Sequence, residues 1–190
     1  LGFDGVMLMA KRPHISPLDY AAAARNALRD RIKNLGLELV CLAGYTDFTA
    51  GVDKPGIPNV EIQVCYVGEL ARLARDLGTD MVRVFTGYER PDIAFDRQYA
   101  MVGEGLKLAG QKAAEYGVTL AVQNHHDIAS GHDVMYWLLK EVDLPNVKAA
   151  FDLWAPALQG LSSEEIKAAV LRMKPFIVPT TAAQYVRLPR

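Results

Sequence analysis

Gln123-Asn124-His125-His126-Asp127 is the densest run of chemically capable side chains in the 190-residue sequence. It follows the apolar Leu120-Ala121-Val122, so the polar groups stand where a buried strand ends. Polar groups in such a place are costly unless paired or ligated. An imidazole titrates near neutrality and serves as a neutral metal ligand or as a general acid and base, which makes His125 and His126 the candidates for catalysis. Side chains alternate along a strand. Gln123 and His125 therefore share one face and Asn124 and His126 the other, so one pair looks into a site built on that strand.

Asp152 closes a second apolar run, Val147-Lys148-Ala149-Ala150-Phe151. A carboxylate there binds a divalent metal, orients a substrate hydroxyl, or caps the following loop. Trp154, two residues on, is either an apolar wall for a sugar ring or part of the core. Lys11, Arg12 and His14 form a short basic loop that suits an anionic or polyhydroxylated substrate as well as it suits solvent. Arg83 lies between Val82 and Val84, and a charge inside a strand must be paired. It either sits in an ion pair or reaches into the site. Lys11, His14, Arg83 and Trp154 make up the candidate substrate-binding set.

The elements that must position these groups can be read from the pattern. Short apolar, partly β-branched runs at 3–9, 37–43, 81–86, 118–124, 147–152 and 176–181 suit strands buried on both faces of a parallel sheet. Between them the periodicity predicts helices: from a Ser16 cap with Pro17 at the first position to about 34, at 61–77, at 96–116, from a Ser130 cap to about 142, and after a Ser162/Glu165 capping box. The second is expected to turn Ile62, Tyr66, Leu70, Leu73 and Leu77 to one face. Gly36, Gly78 and Gly117 each stop a helix just before a strand, as a left-handed residue does. Strict alternation of this kind means a parallel α/β fold, with active groups at the C-terminal ends of the strands. No GxGxxG or phosphate-binding loop occurs, which favours a (β/α)8 barrel over a dinucleotide fold. Tyr20 and Trp137 are expected in the core.

Composition excludes several classes. With 51% hydrophobic residues the chain is not disordered, and 21 basic against 22 acidic residues give no electrostatic footprint for nucleic acid or an anionic membrane. No apolar stretch reaches the roughly 20 residues of a membrane helix. Cys41 and Cys65 fit neither a disulfide framework nor a metal knuckle, and both read as buried thiols of a cytoplasmic protein.

Three stretches, Leu1-Gly2-Phe3-Asp4-Gly5-Val6, Gly117-Val118-Thr119-Leu120-Ala121-Val122-Gln123-Asn124-His125 and Ala150-Phe151-Asp152, resemble in order and spacing the xylose isomerase-like TIM-barrel superfamily. That group contains sugar (phosphate) isomerases and epimerases, related dehydratases and the endonuclease IV class. The resemblance covers essentially the whole chain as one domain, residues 1–190, and places it on barrel strands two to seven. It implies one divalent metal (Mn, Mg or Co) held by a Glu, an Asp, a His and a Glu on strands five to eight, which assists proton transfer between adjacent carbons. The strand-six Asp matches Asp152. The strand-five Glu falls on Gln123, which ligates through its carbonyl oxygen but cannot act as a base, and the strand-seven His falls near Thr181. Strand eight would lie beyond Arg190. Against a typical barrel of about 250 residues, the first and last βα units are then lacking. The expectation is a partial sequence, or a chain completed by partner subunits in a homo-oligomer.

The expected function is a sugar or sugar-derivative isomerase, epimerase or dehydratase working by metal-assisted proton transfer on a small carbohydrate. The alternative is a non-catalytic or partner-dependent sugar-binding barrel with a degenerate metal site, which Gln123 and Thr181 support. An abasic-site endonuclease is disfavoured, since four histidines and a net charge of −1 suit neither a metal cluster nor a polyanionic partner.

Overall fold

The apolar runs form six strands in the computed structural model, which describes residues 2–125 and 127–181. They are β1 (Gly5–Met9), β2 (Glu38–Ala43), β3 (Met81–Val84), β4 (Thr119–Gln123), β5 (Val147–Asp152) and β6 (Ile177–Thr181). All neighbours pair in parallel and in chain order, so each crossover steps one strand along the sheet. The crossovers run through α1 (Ala22–Asn34), α2 (Asn59–Leu77), α3 (Phe95–Ala114), α4 (His132–Val142), the short α5 (Trp154–Leu158) and α6 (Ser163–Met173). The sheet curls into an incomplete (β/α) barrel with helices on its outer side.

Register sorts the two faces. Leu42, Val82, Leu120 and Val147 line up across four strands, each no more than 2% exposed, and belong to one apolar core beneath the helices. Full burial of such a side chain contributes about 1.5–3 kcal/mol. One residue further along, the row is Met9, Ala43, Arg83, Ala121 and Lys148, which lies on the opposite, inner face and contributes nothing to that core. Small and polar residues on that face leave room above them at the strand ends.

Helix ends follow the predicted chemistry with two exceptions. Gly36, Gly78 and Gly117 have φ of 70°, 93° and 64°, and Ser162 with Glu165 forms the capping box of α6. However, α1 starts at Ala22 rather than at Pro17. The buried Arg25 guanidinium takes the Tyr20 and Pro17 carbonyls (2.7 and 3.3 Å) and pairs with Asp76 of α2 (2.7 Å), which holds residues 17–20 as a turn. Gly131, not Ser130, is the N-cap of α4.

Burial departs from expectation at two residues, Cys65 and Trp137, which are exposed. Cys41 is buried as expected, and burial pushes its thiol pKa up to about 11. It is neutral and unreactive at physiological pH. No helix among the described residues is long and apolar enough to cross a membrane.

Candidate functional site

The loops that leave β2, β3 and β4 are stitched into one rim at the C-terminal end of the sheet. Thr46 Oγ1 donates to the Phe85 carbonyl (2.5 Å) and accepts from its N–H (3.0 Å). The Thr86 N–H donates to Asp127 Oδ2 (2.9 Å), while the Thr86 hydroxyl accepts from the Ala129 N–H (3.2 Å). Asp47 accepts from Thr49 and pairs with Arg90 at 2.9 Å. Gly87 makes the approach possible. Its φ is +124°, and a Cβ there would come within 2.5 Å of Asp47 Oδ1. Fixed loops of this kind hold side chains in place before a ligand arrives.

Asp152 sits at the centre of the next rim segment, and both its oxygens are engaged. Oδ2 accepts from Gln123 Nε2 (2.7 Å) and Oδ1 from the Trp154 N–H (2.9 Å). Asn124 points away from this pair, as strand alternation requires. Its amide imitates a backbone unit, donating to the Asp152 carbonyl (2.9 Å) and accepting from the Asp152 N–H (2.6 Å). Asn124 is completely buried. Asn124→Ala leaves both Asp152 backbone groups unpaired and lowers stability by about 2–3 kcal/mol. Urea unfolding checks this, and a loss below about 0.5 kcal/mol would contradict the assignment.

Two cavities open on the rim. The first, about 450 Å³, is lined by Lys11, Tyr45, Arg83, Phe85, Gln123, His125 and Asp127 among others. The second, about 500 Å³, is lined by His125, Asp152, Trp154 and Leu158 among others. His125 belongs to both and so stands at their junction, with its ring 5.1 Å from that of Phe85. Both volumes suit a small polar metabolite.

The structure therefore brings Lys11, Arg83, Gln123, His125, Asp152 and Trp154 together around one doubled cavity. His14 is exposed, its N–H closing a turn onto the Lys11 carbonyl, and lines neither cavity; Arg12 is turned outward onto Asp19. His126 lies outside the described residues. Thr181 pairs in register with Asp152. Asp127 is the residue that the sequence left without a role. It lines the first cavity, and its buried Oδ1 has no partner among the described residues.

Strand order, parallel pairing and polar groups gathered at the C-terminal strand ends are the marks of a (β/α) barrel. The sequence profile described as "Xylose isomerase-like TIM barrel" matches residues 1–174. The chain belongs to this family. Solved structures of similar fold include a D-psicose 3-epimerase, crystallised in the presence of D-fructose (TM-score 0.76, 17% identity, 94% of this chain and 62% of that one). A probable 3-DHS dehydratase from Bacillus anthracis is similar (TM-score 0.75, 18% identity, 94% and 62%), as is a 3-keto-D-glucoside 4-epimerase from E. coli (TM-score 0.73, 15% identity, 94% and 68%). The chain spans about three-fifths of the length of the first two. A search among curated proteins finds no match.

The described residues do not by themselves fit a divalent metal. No group of three His, Cys, Asp or Glu side chains stands together among them. Gln123 is neutral and turns its amide N–H toward Asp152, whereas a hard cation calls for several converging oxygens, most of them anionic.

Proposed function

We propose that this chain carries the site of a sugar or sugar-derivative isomerase, epimerase or dehydratase that works by proton transfer next to a carbonyl. The observation that carries the reading is the place of His125 at the junction of the two cavities, beside the Asp152–Gln123 pair. The neighbouring folds, two sugar epimerases and a dehydratase, supply the reaction class by likeness of scaffold.

In this reading His125 removes the proton from the carbon beside the carbonyl, and the C–H electron pair moves onto the carbonyl oxygen. The charge that develops there falls in a cavity with Lys11 and Arg83 on its wall. Return of the proton to the opposite face gives the epimer, return to the adjacent carbon gives the isomer, and loss of a neighbouring hydroxyl gives the dehydrated product. Asp152, held by Gln123 and the Trp154 N–H, accepts from a substrate hydroxyl, and Trp154 walls the second cavity. A cytoplasmic location belongs to the same reading, with Cys41 and Cys65 both free thiols.

Metal assistance is a proposal for the full-length protein, in which Asp152 and the Gln123 carbonyl would be this chain's ligands. The test is exchange of the α-proton of keto-sugars in D₂O by the full-length protein, with and without Mn²⁺, Mg²⁺ or Co²⁺. Exchange faster than background supports the reading, and no exchange across a broad sugar panel overturns it. Binding of a sugar without exchange favours the second reading, a non-catalytic sugar-binding barrel, which the neutral Gln123 beside Asp152 supports.

A further inference from the structure

Arg83 is the oddest residue in the molecule by electrostatics. It sits in the middle of the sheet, 7% exposed, on the inner face between Ala43 and Ala121. Its guanidinium packs on Phe85 (4.0 Å to the ring centroid) and on Tyr45 (4.9 Å). Nε and Nη1 are buried and have no hydrogen-bond partner among the described residues. No carboxylate among the described residues pairs with it either. Burial holds its pKa below the ordinary value, against a hydrogen bond to the Tyr45 side chain and the fields of Tyr45, Cys41 and Tyr66.

A guanidinium cannot escape this position by losing its proton, because arginine stays protonated in proteins. An unpaired buried charge is among the costliest features a fold can keep. Aromatic faces return part of that cost, but they satisfy no N–H donor. The Tyr45 side chain supplies one hydrogen bond, so the compensation for Nε and Nη1 must come from outside the described side chains, and Arg83 lines the first cavity. Lys11 lines it as well, its Nζ 4.0 Å from the centroid of the same Tyr45 ring, so the two cations flank one aromatic platform.

We propose that the substrate of this site carries a carboxylate, and that Arg83, with Lys11 beside it, takes that carboxylate in the first cavity while the reacting carbons reach His125. The inference rests on the proposed proton-transfer reading and adds the substrate class: a sugar acid rather than a neutral sugar. A planar guanidinium matches a carboxylate in two parallel N–H···O bonds. A phosphate dianion suits the cavity less. Asp47 and Asp127 also line it and repel a second negative charge, and Asp127 Oδ1 has no hydrogen-bond partner among the described residues. Asp47, by contrast, is already held by Arg90.

The experiment compares matched ligands on the full-length protein by calorimetry: D-fructose, the keto-acid D-fructuronate, and D-fructose 6-phosphate. The expected result is at least tenfold tighter binding of fructuronate than of fructose, with the phosphate ester no better than fructuronate. Arg83→Gln brings the fructuronate-to-fructose ratio to about one. Arg83→Met, which removes the unpaired charge but keeps an apolar stem on Phe85, raises the ligand-free Tm by several degrees, which shows that the variant folds and that the arginine is kept at a cost to stability. Equal affinities for fructuronate and fructose, failure of all three to bind in the millimolar range, tighter binding of the phosphate ester, or an unchanged ratio in Arg83→Gln each overturns the proposal. A clear preference for fructuronate with no α-proton exchange leaves this inference standing and sinks the catalytic reading. Exchange on fructose with no such preference does the reverse.

Discussion

Replacing His125 with glutamine lowers α-proton exchange by on the order of 10²–10⁴, the usual contribution of a well-placed general acid or base. The two cavities meet at this ring, so a substrate that spans them passes it whichever end enters first. Glutamine keeps the side chain polar and of similar reach while removing the only function that changes protonation near neutral pH. Ligand affinity is therefore expected to change no more than a few-fold, because in the proposed reading Lys11, Arg83 and Trp154 hold the substrate independently of the imidazole. The loss falls on kcat rather than on KM, the pattern of an interaction made in the transition state. The wild-type pH–rate profile has a limb in the histidine range that the variant lacks. Exchange within threefold of wild type, or a variant that keeps that limb, would remove His125 from the chemistry.

The route to this residue shows where sequence reasoning holds and where it stops. Strand alternation alone separated Gln123 and His125 from Asn124, and the structure puts the first two on the cavity and Asn124 in the strand ladder. Period-2 patterning survives because one face of each strand is buried under helices, which leaves register little freedom. Glycine stops and the Ser162 capping box were legible for the same reason: each is fixed by local backbone chemistry. The misread start of α1 had a long-range cause. Arg25 reaches back to residues 17–20 and across to Asp76, 51 residues on, and no local propensity encodes that clamp. Trp137 misleads in another way, since its period marks a helix face without saying whether a neighbouring element covers it. Asp127 and the pairing of Asp152 with Gln123 depend on which strands lie side by side, and that is settled only when the sheet is assembled.

Gln123→Glu is expected to tighten Mn²⁺ binding by on the order of 10²–10³. In the present structure the Gln123 amide donates to Asp152 at 2.7 Å, a charge-assisted bond worth about 1.5–3 kcal/mol. With glutamate at 123 that donor becomes a second carboxylate facing the first, and two unit charges about 4 Å apart repel by about 4 kcal/mol at an effective dielectric of 20. A divalent cation turns the same geometry to advantage, because it is attracted by both carboxylates at once and so relieves their repulsion. Without metal, the pair shares one proton, which raises its folded-state pKa above the unfolded carboxylate value. The sign of the linkage follows: the stability of metal-free Gln123→Glu is greatest below pH 4 and is lost as pH rises through the raised pKa. Titration calorimetry with Mn²⁺ and urea unfolding between pH 4 and pH 8 read the two effects separately. A variant that binds Mn²⁺ no better than wild type, yet shows the loss of stability with pH, would mean that the carboxylates meet here as the geometry requires while the other metal donors do not converge on them. The proposed metal assistance would then have no seat at Asp152, and the proposed proton transfer would rest, among the described residues, on His125.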